Sequence, residues 1–463
     1  MRKLKKWLTL NVEEENNSAD SILSPVMPNQ RRATASLVAV SVGWAFALTG
    51  MIAGAGIAPT TNLSEVLWSI IIGNFALFAI SFSISYVAYK TGCSTPLIFK
   101  LVYGKTGMIV PCILVIAVGL GWQASLTGMV PDTWVGSEIT PLYIVIGIIA
   151  GILVLATLLG GIKWLEIISW PAVFFIVVVG VIAIVQGYTK LGGMTGVETA
   201  ASDLALIQPV SFADRIDIII GAWIVGAMFA GDFTRFSKNT LSVFLFVAIA
   251  FIITQPFLQI VGILGLLAFD NYNPVGFVGA VGSLMWLFVG LGMTIAIWTT
   301  ANNNLYFTQV ALSNVFKLPR KVSVVIIGVV GGVAGAVGVF NYVGSFIGLL
   351  AAFVPPVLGP VILDFYILSK GKYDVKLLDK IPDYNIPAIT AYIMGIIVPF
   401  IYSPSILPAA IWGIILSVFT YSLLIILFKF AGKKVGYMTV SHLATETDFV
   451  FSQNLDNKLT ESK

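Results

Sequence analysis

Long apolar segments alternate with short polar ones along nearly the whole chain, which has 463 residues. Each apolar segment has the length that a helix needs to cross the hydrocarbon core of a bilayer. Twelve such segments are predicted, at residues 35–58, 66–89, 108–129, 141–161, 168–187, 216–234, 241–269, 284–312, 322–340, 343–367, 386–403 and 408–430. The pattern therefore predicts an all-α membrane protein, with twelve transmembrane helices within residues 35–431. The ends, residues 1–34 and 432–463, are predicted to be solvated tails.

Positive charge indicates how these helices are oriented. All 26 lysines and arginines except Lys190 and Arg215 fall in segments that the twelve-helix prediction places on one side of the membrane. Cytoplasmic loops carry the excess of Lys and Arg in membrane proteins. We therefore expect a multi-pass protein of the plasma membrane with both tails in the cytoplasm. Residues 1–29 have no apolar core, so no cleavable signal is expected.

Composition argues against an enzyme. The chain is 58% hydrophobic and only 10% charged, whereas soluble domains are roughly a quarter charged. Its one histidine, His442, lies in the C-terminal tail, and Cys93 and Cys112 form no paired motif. No metal centre or nucleophile–base pair is therefore predicted, and neither a resident cofactor nor a nucleic-acid partner is expected.

The predicted helices hold almost no ionisable residue near the middle of the membrane. Asp232 and Arg235 lie near the inner end of the sixth span, where they can pair across one turn, and Asp364 lies near the inner end of the tenth. Intramembrane ionisable groups mark proton relays and counter-charges. Their scarcity favours a neutral substrate and coupling to a metal cation, with a proton-coupled carrier as the alternative.

Five polar residues interrupt the apolar eighth span, between Ile297 and Tyr306: Thr299, Thr300, Asn302, Asn303 and Asn304. On a helix, Ala296, Thr299, Thr300 and Asn303 share one face, Asn304 lies at its edge and Asn302 points aside. Hydroxyls suit a small cation, whereas carboxamides both donate to and accept from a neutral polar ligand. The alternative is that these groups only hydrogen-bond neighbouring helices.

The first and sixth spans are both rich in glycine, which readily leaves helical geometry. Gly43, Gly50 and Gly54 lie in the first span, and Gly221 and Gly226 lie in the sixth. Interrupted spans at matching positions of two halves indicate the binding site of an inverted-repeat transporter. Close helix packing is the alternative explanation.

Two tryptophans lie deep in predicted spans, although tryptophan prefers the membrane interface. Trp122 lies in the third span and Trp223 in the sixth, each within two residues of a glycine. Two facing indoles could hold a flat ring between them. Ordinary core packing is the alternative, since Trp44 and Trp298 are also deep.

Two motifs carry a resemblance to a known family. They are the run from Gly231 to Phe236, with Asn239 after it, and Trp298-Thr299-Thr300, followed by Asn303 and Leu305-Tyr306. From about residue 35 to 431 the chain resembles the nucleobase–cation symporters. That family includes cytosine permeases, allantoin permeases and hydantoin transporters, and the similarity is closest to bacterial cytosine permeases.

This resemblance implies a leucine-transporter-like fold. Its five-helix inverted repeats would be residues 35–187 and 216–367, and two extra helices would span residues 386–430. Sodium would touch the backbone carbonyls of Gly43, Phe46 and Ala296 and the hydroxyls of Thr299 and Thr300. The base would lie between Trp122 and Trp223 and would be contacted by Asn303 first, with Asn304, Gln123 and Gly226 completing the site.

These observations predict a secondary transporter that imports a nucleobase, cytosine first, together with Na⁺. Its partners would be the solute, Na⁺ and the lipid bilayer, and it is expected to act as a monomer. Hydroxymethylpyrimidine, allantoin, a hydantoin or a purine are the alternative solutes. A channel or receptor is disfavoured, because neither would require paired glycine-interrupted spans.

Overall fold

The computed structural model describes residues 21–45, 47–159, 162–402 and 407–443. In this part of the chain the regular secondary structure is helical, apart from one isolated bridge between Arg32 and Ser237. The helices are α1 (Thr34–Ala45), α2 (Leu48–Ile57), α3 (Leu63–Thr91), α4 (Thr95–Tyr103), α5 (Ile109–Val135), α6 (Pro141–Leu159), α7 (Ile162–Lys190), α8 (Met194–Ile207), α9 (Phe212–Thr234), α10 (Thr240–Ala248), α11 (Gln255–Phe269), α12 (Pro274–Phe277), α13 (Ser283–Phe316), α14 (Arg320–Ala336), α15 (Val343–Phe353), α16 (Leu358–Ile362), α17 (Ile386–Ile401) and α18 (Ala409–Phe430). Segments of π-helix come directly after α10, at Ile249–Thr254, and after α16, at Leu363–Leu368.

Among the described residues, eight helical segments are long and apolar enough to cross a membrane, or nine if α1 and α2 count as one bent span. The bundle turns large apolar side chains outward, among them Trp68, Phe75 and Ile152, each more than half exposed. Extended apolar surface of this kind is stable against lipid and costly in water. The helices thus form a bundle that a bilayer would surround.

The first span is broken, as its glycines predict. The axes of α1 and α2 differ by 50°. The N–H of Ala47 bonds the carbonyl of Ala45, at 3.1 Å, and not that of Gly43 as in a continuous helix. The carbonyl of Gly43 is thereby released from its usual helical partner.

The predicted interruption of the sixth span is wrong, because α9 runs unbroken from Phe212 to Thr234. Its glycines instead permit close packing. A Cβ added at Gly221 would lie 2.3 Å from the carbonyl oxygen of Ile347, and one added at Gly226 would lie 2.8 Å from the indole of Trp44. Glycine composition alone does not distinguish a helix break from a close helix contact.

Two helices lie in segments that the sequence pattern assigned to connections. The buried helix α4 lies between the second and third spans, and α8 lies within residues 188–215. Asp232, predicted to pair with Arg235, accepts a 2.7 Å hydrogen bond from the N–H of Thr95, at the beginning of α4. An anion is favourable there because helix N-termini carry partial positive charge. The side chain of Arg235 donates to the carbonyls of Asp232, at 3.2 Å, and Ser21, at 2.7 Å.

The tails are not fully solvated. Ile22 and Val26 are buried, and the carbonyl of Ile22 accepts a 2.9 Å hydrogen bond from Asn314 at the end of α13. Tyr437 is also buried, and its hydroxyl accepts from the N–H of Asp374 at 2.7 Å. A few apolar residues within otherwise polar segments are enough to bind these two stretches to the bundle.

Candidate functional site

A cavity lies at the centre of the bundle, where the broken first span meets α5, α9 and α13. Its lining residues are Trp44, Thr49, Trp122, Leu126, Ala222, Trp223, Val225, Gly226, Thr300, Asn304 and Phe307. None of them carries a charge. The cavity volume is ≈ 40 Å³, counted as the space open to the centre of a water molecule. A single water needs roughly 10–15 Å³ by that measure, so the cavity suits a small, compact ligand.

Aromatic rings form much of the cavity wall. Trp122 and Trp223, the two deep tryptophans that the sequence singles out, both line it, and Trp44 packs edge-on against Trp223 with ring centroids 5.4 Å apart. Phe346 supports Trp122 at 5.5 Å, and Phe229 stacks on the lining residue Phe307 at 4.5 Å. Rings that are themselves packed present rigid apolar faces to a flat solute.

Asn304 supplies the carboxamide of the cavity wall. Its Nδ2 donates to the carbonyl of Gly119 and to Oε1 of Gln123, each at 2.9 Å. Its Oδ1 is buried and has no hydrogen-bond partner among the described residues. The two bonds orient Asn304, so that its remaining oxygen can accept a hydrogen bond from a solute.

The other predicted carboxamides lie outside the lining. Asn303 is fully buried, and its Nδ2 donates to the carbonyl of Thr299 at 2.9 Å. Gln123 contacts Asn304 and does not itself line the cavity. Asn304, which helical periodicity places at the edge of the polar face, is thus the carboxamide that reaches the cavity wall.

Four of the five predicted sodium-contacting residues bring oxygen atoms together beside the cavity. The hydroxyl of Thr299 lies 3.2 Å from the carbonyl oxygen of Gly43 and 2.8 Å from that of Ala296. The hydroxyl of Thr300 lies 3.1 Å from the same Ala296 oxygen. Phe46, the fifth predicted residue, lies outside the described residues.

This oxygen cluster is uncharged and joins α13 to the end of α1. Each hydroxyl donates one hydrogen bond and keeps lone pairs that can accept or coordinate. The described residues contain no group of three His, Cys, Asp or Glu side chains that could hold a metal. The cluster can therefore offer a cation neutral oxygens, which suit a weakly held ion with a single charge more than a transition metal.

Several lining residues are not among the site residues that the sequence predicts. Trp44 is notable in the sequence only for its depth, and Thr49, Ala222 and Val225 stand out by no pattern. Trp44 and Thr49 flank the helix break, so proximity to that break is the signal that could have identified them. Ala222 and Val225 carry no recognisable signal, because small apolar residues are common in packed membrane helices.

Replacing Gly226 with alanine is expected to lower solute affinity by several fold. The added methyl would lie 2.8 Å from Trp44 and 2.9 Å from Trp223, so both rings of the cavity wall must shift. Gly231→Ala on the same helix is the matched control, because its nearest new contact would be 3.3 Å away. Equal losses of binding in the two purified variants would contradict a specific role for Gly226.

Comparisons with known proteins identify relatives over most of the chain. The family described as "Permease for cytosine/purines, uracil, thiamine, allantoin" matches residues 25–425. The cytosine permease of Escherichia coli strain K12 is 27% identical over 391 residues, which cover 83% of this chain and 89% of that protein.

Solved structures share the fold. Mhp1, a nucleobase-cation-symport-1 family transporter solved in a closed conformation with bromovinylhydantoin bound, matches with a TM-score of 0.74 and 18% identity, over 93% of this chain and 98% of that one. A Na⁺-coupled sialic acid symporter matches with a TM-score of 0.59 and 14% identity, over 85% of this chain and 96% of that one. The fold is therefore the leucine-transporter-like fold of Mhp1.

Proposed function

Because this chain belongs to the family of permeases for cytosine/purines, uracil, thiamine and allantoin, we propose that it imports a neutral nucleobase, cytosine first, together with Na⁺. The observation that carries the proposal is the central cavity, which has aromatic walls, one oriented carboxamide and no charged side chain. A flat neutral ring with hydrogen-bonding edges matches each of these features. The similarity to a cytosine permease supports cytosine ahead of hydroxymethylpyrimidine, allantoin or a hydantoin.

Sodium is the proposed coupling ion because the oxygen cluster of Gly43, Ala296, Thr299 and Thr300 lies beside the cavity. A cation held there would tie α13 to the broken first span and so favour a closed site. The sialic acid symporter that shares the fold is Na⁺-coupled, which supports the same choice. Proton coupling is the alternative, but no lining residue of the cavity is a carboxylic acid or a histidine.

The proposed mechanism is alternating access around this central site. One Na⁺ entering across 100 mV supplies about 2.3 kcal/mol. A tenfold Na⁺ gradient adds about 1.4 kcal/mol. Together they would support accumulation of the base by about 500-fold, since each 1.4 kcal/mol corresponds to a factor of ten.

We further propose twelve membrane crossings. The eight long segments and the bent α1–α2 pair account for nine crossings, and the shorter helices α6, α14 and α17 would bring the total to twelve. Residues 35–187 and 216–367 would form the two inverted repeats, and residues 386–430 the two extra helices. The fold shared with Mhp1 supports this division.

Contacts of charged residues support the proposed grouping of the segment ends on two sides of the membrane. Arg215, assigned to the outside, pairs with Glu65 at 2.9 Å and donates to the carbonyl of Ile57 at 3.3 Å, so three predicted outer ends lie together. Lys100 pairs with Asp379 at 3.1 Å, which joins two predicted inner segments. Because most lysines and arginines fall on one of these sides, we propose that both tails are cytoplasmic in the plasma membrane, and we further propose that the protein acts as a monomer.

The experiment that tests the function is a binding and uptake panel with the purified protein in liposomes. Cytosine, uracil, hypoxanthine, hydroxymethylpyrimidine, allantoin and a hydantoin are compared in Na⁺ and in K⁺. We expect cytosine uptake that requires inward Na⁺. Uptake that depends on a pH gradient and ignores Na⁺ would overturn the sodium assignment, and uptake of another heterocycle alone would overturn cytosine.

Asn304→Ala is expected to weaken base binding by about 1–3 kcal/mol, the cost of leaving a buried polar partner unsatisfied. Asn302→Ala is the matched control, since Asn302 is equally buried on α13 but does not line the cavity. Asn303→Ala should fall between them, because its amide supports the Thr299 turn. Isothermal titration of each variant with the base measures the three losses of affinity. A larger loss of affinity in Asn302→Ala than in Asn304→Ala would mean that α13 is rotated differently.

A further inference from the structure

Gln255 lies at the break of the first span, although it belongs to a distant part of the chain. Its Nε2 donates to the carbonyl of Ala45, the last residue of α1, at 2.8 Å. Its side chain is fully buried, and a Cβ added to Gly50, in the first turn of α2, would lie 2.7 Å from its Oε1. The carboxamide of Gln255 therefore fills the space between the end of α1 and the beginning of α2.

A π-helical turn directly before Gln255 sets the direction of its side chain. The π-helical segment Ile249–Thr254 ends directly before Gln255, whose N–H bonds the carbonyl of Ala250, five residues earlier. A π-turn adds one residue to a helix and rotates the residues beyond it, and such turns occur often at functional sites. Phe246 and Phe251, from the same stretch, pack on Trp44 with ring centroids 5.5 Å and 6.1 Å away. The stretch from Phe246 to Gln255 thus holds the end of α1 through two aromatic side chains and one carboxamide.

From these contacts we propose that Gln255 is a positioning residue for the cation site, an inference that rests on the proposed sodium coupling. The carbonyl of Gly43 is free to face Thr299 because α1 ends at Ala45. Gln255 gives the Ala45 carbonyl a second hydrogen bond, beside the one from the N–H of Ala47, and so holds the helix end in place. Without that donor, the end of α1 can relax, and the 3.2 Å separation between Gly43 and Thr299 is no longer fixed.

The test replaces Gln255 with methionine, which has a similar length and no amide donor. We expect the Na⁺ concentration for half-maximal base binding to rise by several fold to about tenfold, as the loss of one buried hydrogen bond implies. Base affinity at saturating Na⁺ should change little, because Gln255 does not line the cavity. Two titrations of the purified protein measure these effects. In the first, the Na⁺ concentration is varied at a fixed concentration of the base, and in the second, the base concentration is varied at saturating Na⁺.

Gln259→Met is the matched control. Gln259 lies one turn further along α11 and is equally buried, but its carboxamide pairs with Asn74 of α3, at 2.7 Å, and not with the helix break. This variant should lose thermal stability and keep the Na⁺ dependence of the wild type. A general loosening of α11 would shift both variants alike, whereas a positioning role shifts only Gln255→Met.

A second variant, Gln255→Asn, covers the case in which Gln255→Met does not fold. It keeps a carboxamide but is one methylene too short to reach Ala45, so the same rise in the Na⁺ requirement is expected. Wild-type Na⁺ dependence in Gln255→Asn or Gln255→Met, or an equal rise in Gln259→Met, would overturn the inference. Absence of any Na⁺ effect on the wild-type protein would instead refute the proposed sodium coupling, and the two failures are therefore distinguishable.

Discussion

Trp223→Ala is expected to reduce base binding at least tenfold while the protein still reaches the membrane. Base–aromatic stacking contributes about 1–3 kcal/mol per base in alanine replacements. The loss should lie towards the upper end here, because Trp223 also supports the neighbouring cavity residue Trp44 at 5.4 Å. Removing one indole therefore disturbs two walls of the site. Titration of the purified variant with the base measures the change.

Two further variants separate stacking from packing. Trp223→Phe keeps a ring face and should lose much less affinity than the alanine variant. Trp286→Ala is the matched control, since this tryptophan packs on Trp134 with centroids 4.9 Å apart and does not line the cavity. Trp122→Ala should resemble Trp223→Ala. Unchanged base affinity in either cavity variant would assign that tryptophan to core packing.

The tryptophan positions also show what hydrophobic patterning can and cannot predict. Depth within a span is readable from sequence, because span boundaries are set by apolar length. Which deep tryptophans share a cavity is not readable, because it depends on how distant helices pack. Trp44 and Trp122 both line the cavity, whereas Trp298, equally deep by sequence, does not.

The polar stretch of α13 is a second example of what the sequence pattern can and cannot predict. Helical periodicity places Thr299 and Thr300 one turn after Ala296, whose carbonyl both hydroxyls contact, because successive turns of one helix have fixed geometry. It cannot fix the absolute rotation of the helix in the bundle. That rotation depends on contacts with α5, where Gly119 and Gln123 hold the amide of Asn304. The residue at the edge of the predicted face therefore lies at the cavity wall.

Contacts between residues that are far apart in the sequence cannot be predicted from local sequence patterns. The carbonyl of Gly43 and the hydroxyl of Thr299 are 256 positions apart, and only the family resemblance suggests that they meet.

The sequence pattern does not predict the helices α4 and α8, for a different reason. They are too short to span a bilayer, so a pattern of long apolar runs does not include them.

Thr299→Ala is expected to raise the Na⁺ concentration for half-maximal binding by one to two orders of magnitude, since a bond to a charged partner is worth about 1.5–3 kcal/mol. Thr299 has the most central oxygen of the cluster, within 3.2 Å of the Gly43 carbonyl and 2.8 Å of the Ala296 carbonyl. Thr300→Ala should act similarly, with an added effect on the base because Thr300 also lines the cavity. Titration with Na⁺ at fixed base measures both.

The threonine variants distinguish cation coordination from helix packing. A bound Na⁺ must replace its hydration shell with protein oxygens, and few waters can enter a closed site to substitute for one that is deleted. Thr299→Ser keeps the oxygen and should retain nearly normal Na⁺ dependence, although it loses the methyl group that packs between helices. Thr294→Ala, on the same helix, removes a hydroxyl that bonds Trp134 at 2.8 Å and should leave the Na⁺ requirement unchanged. If Thr299→Ser proves as defective as Thr299→Ala, the methyl group is the important part, and the two threonines are packing residues of a transporter driven by another ion.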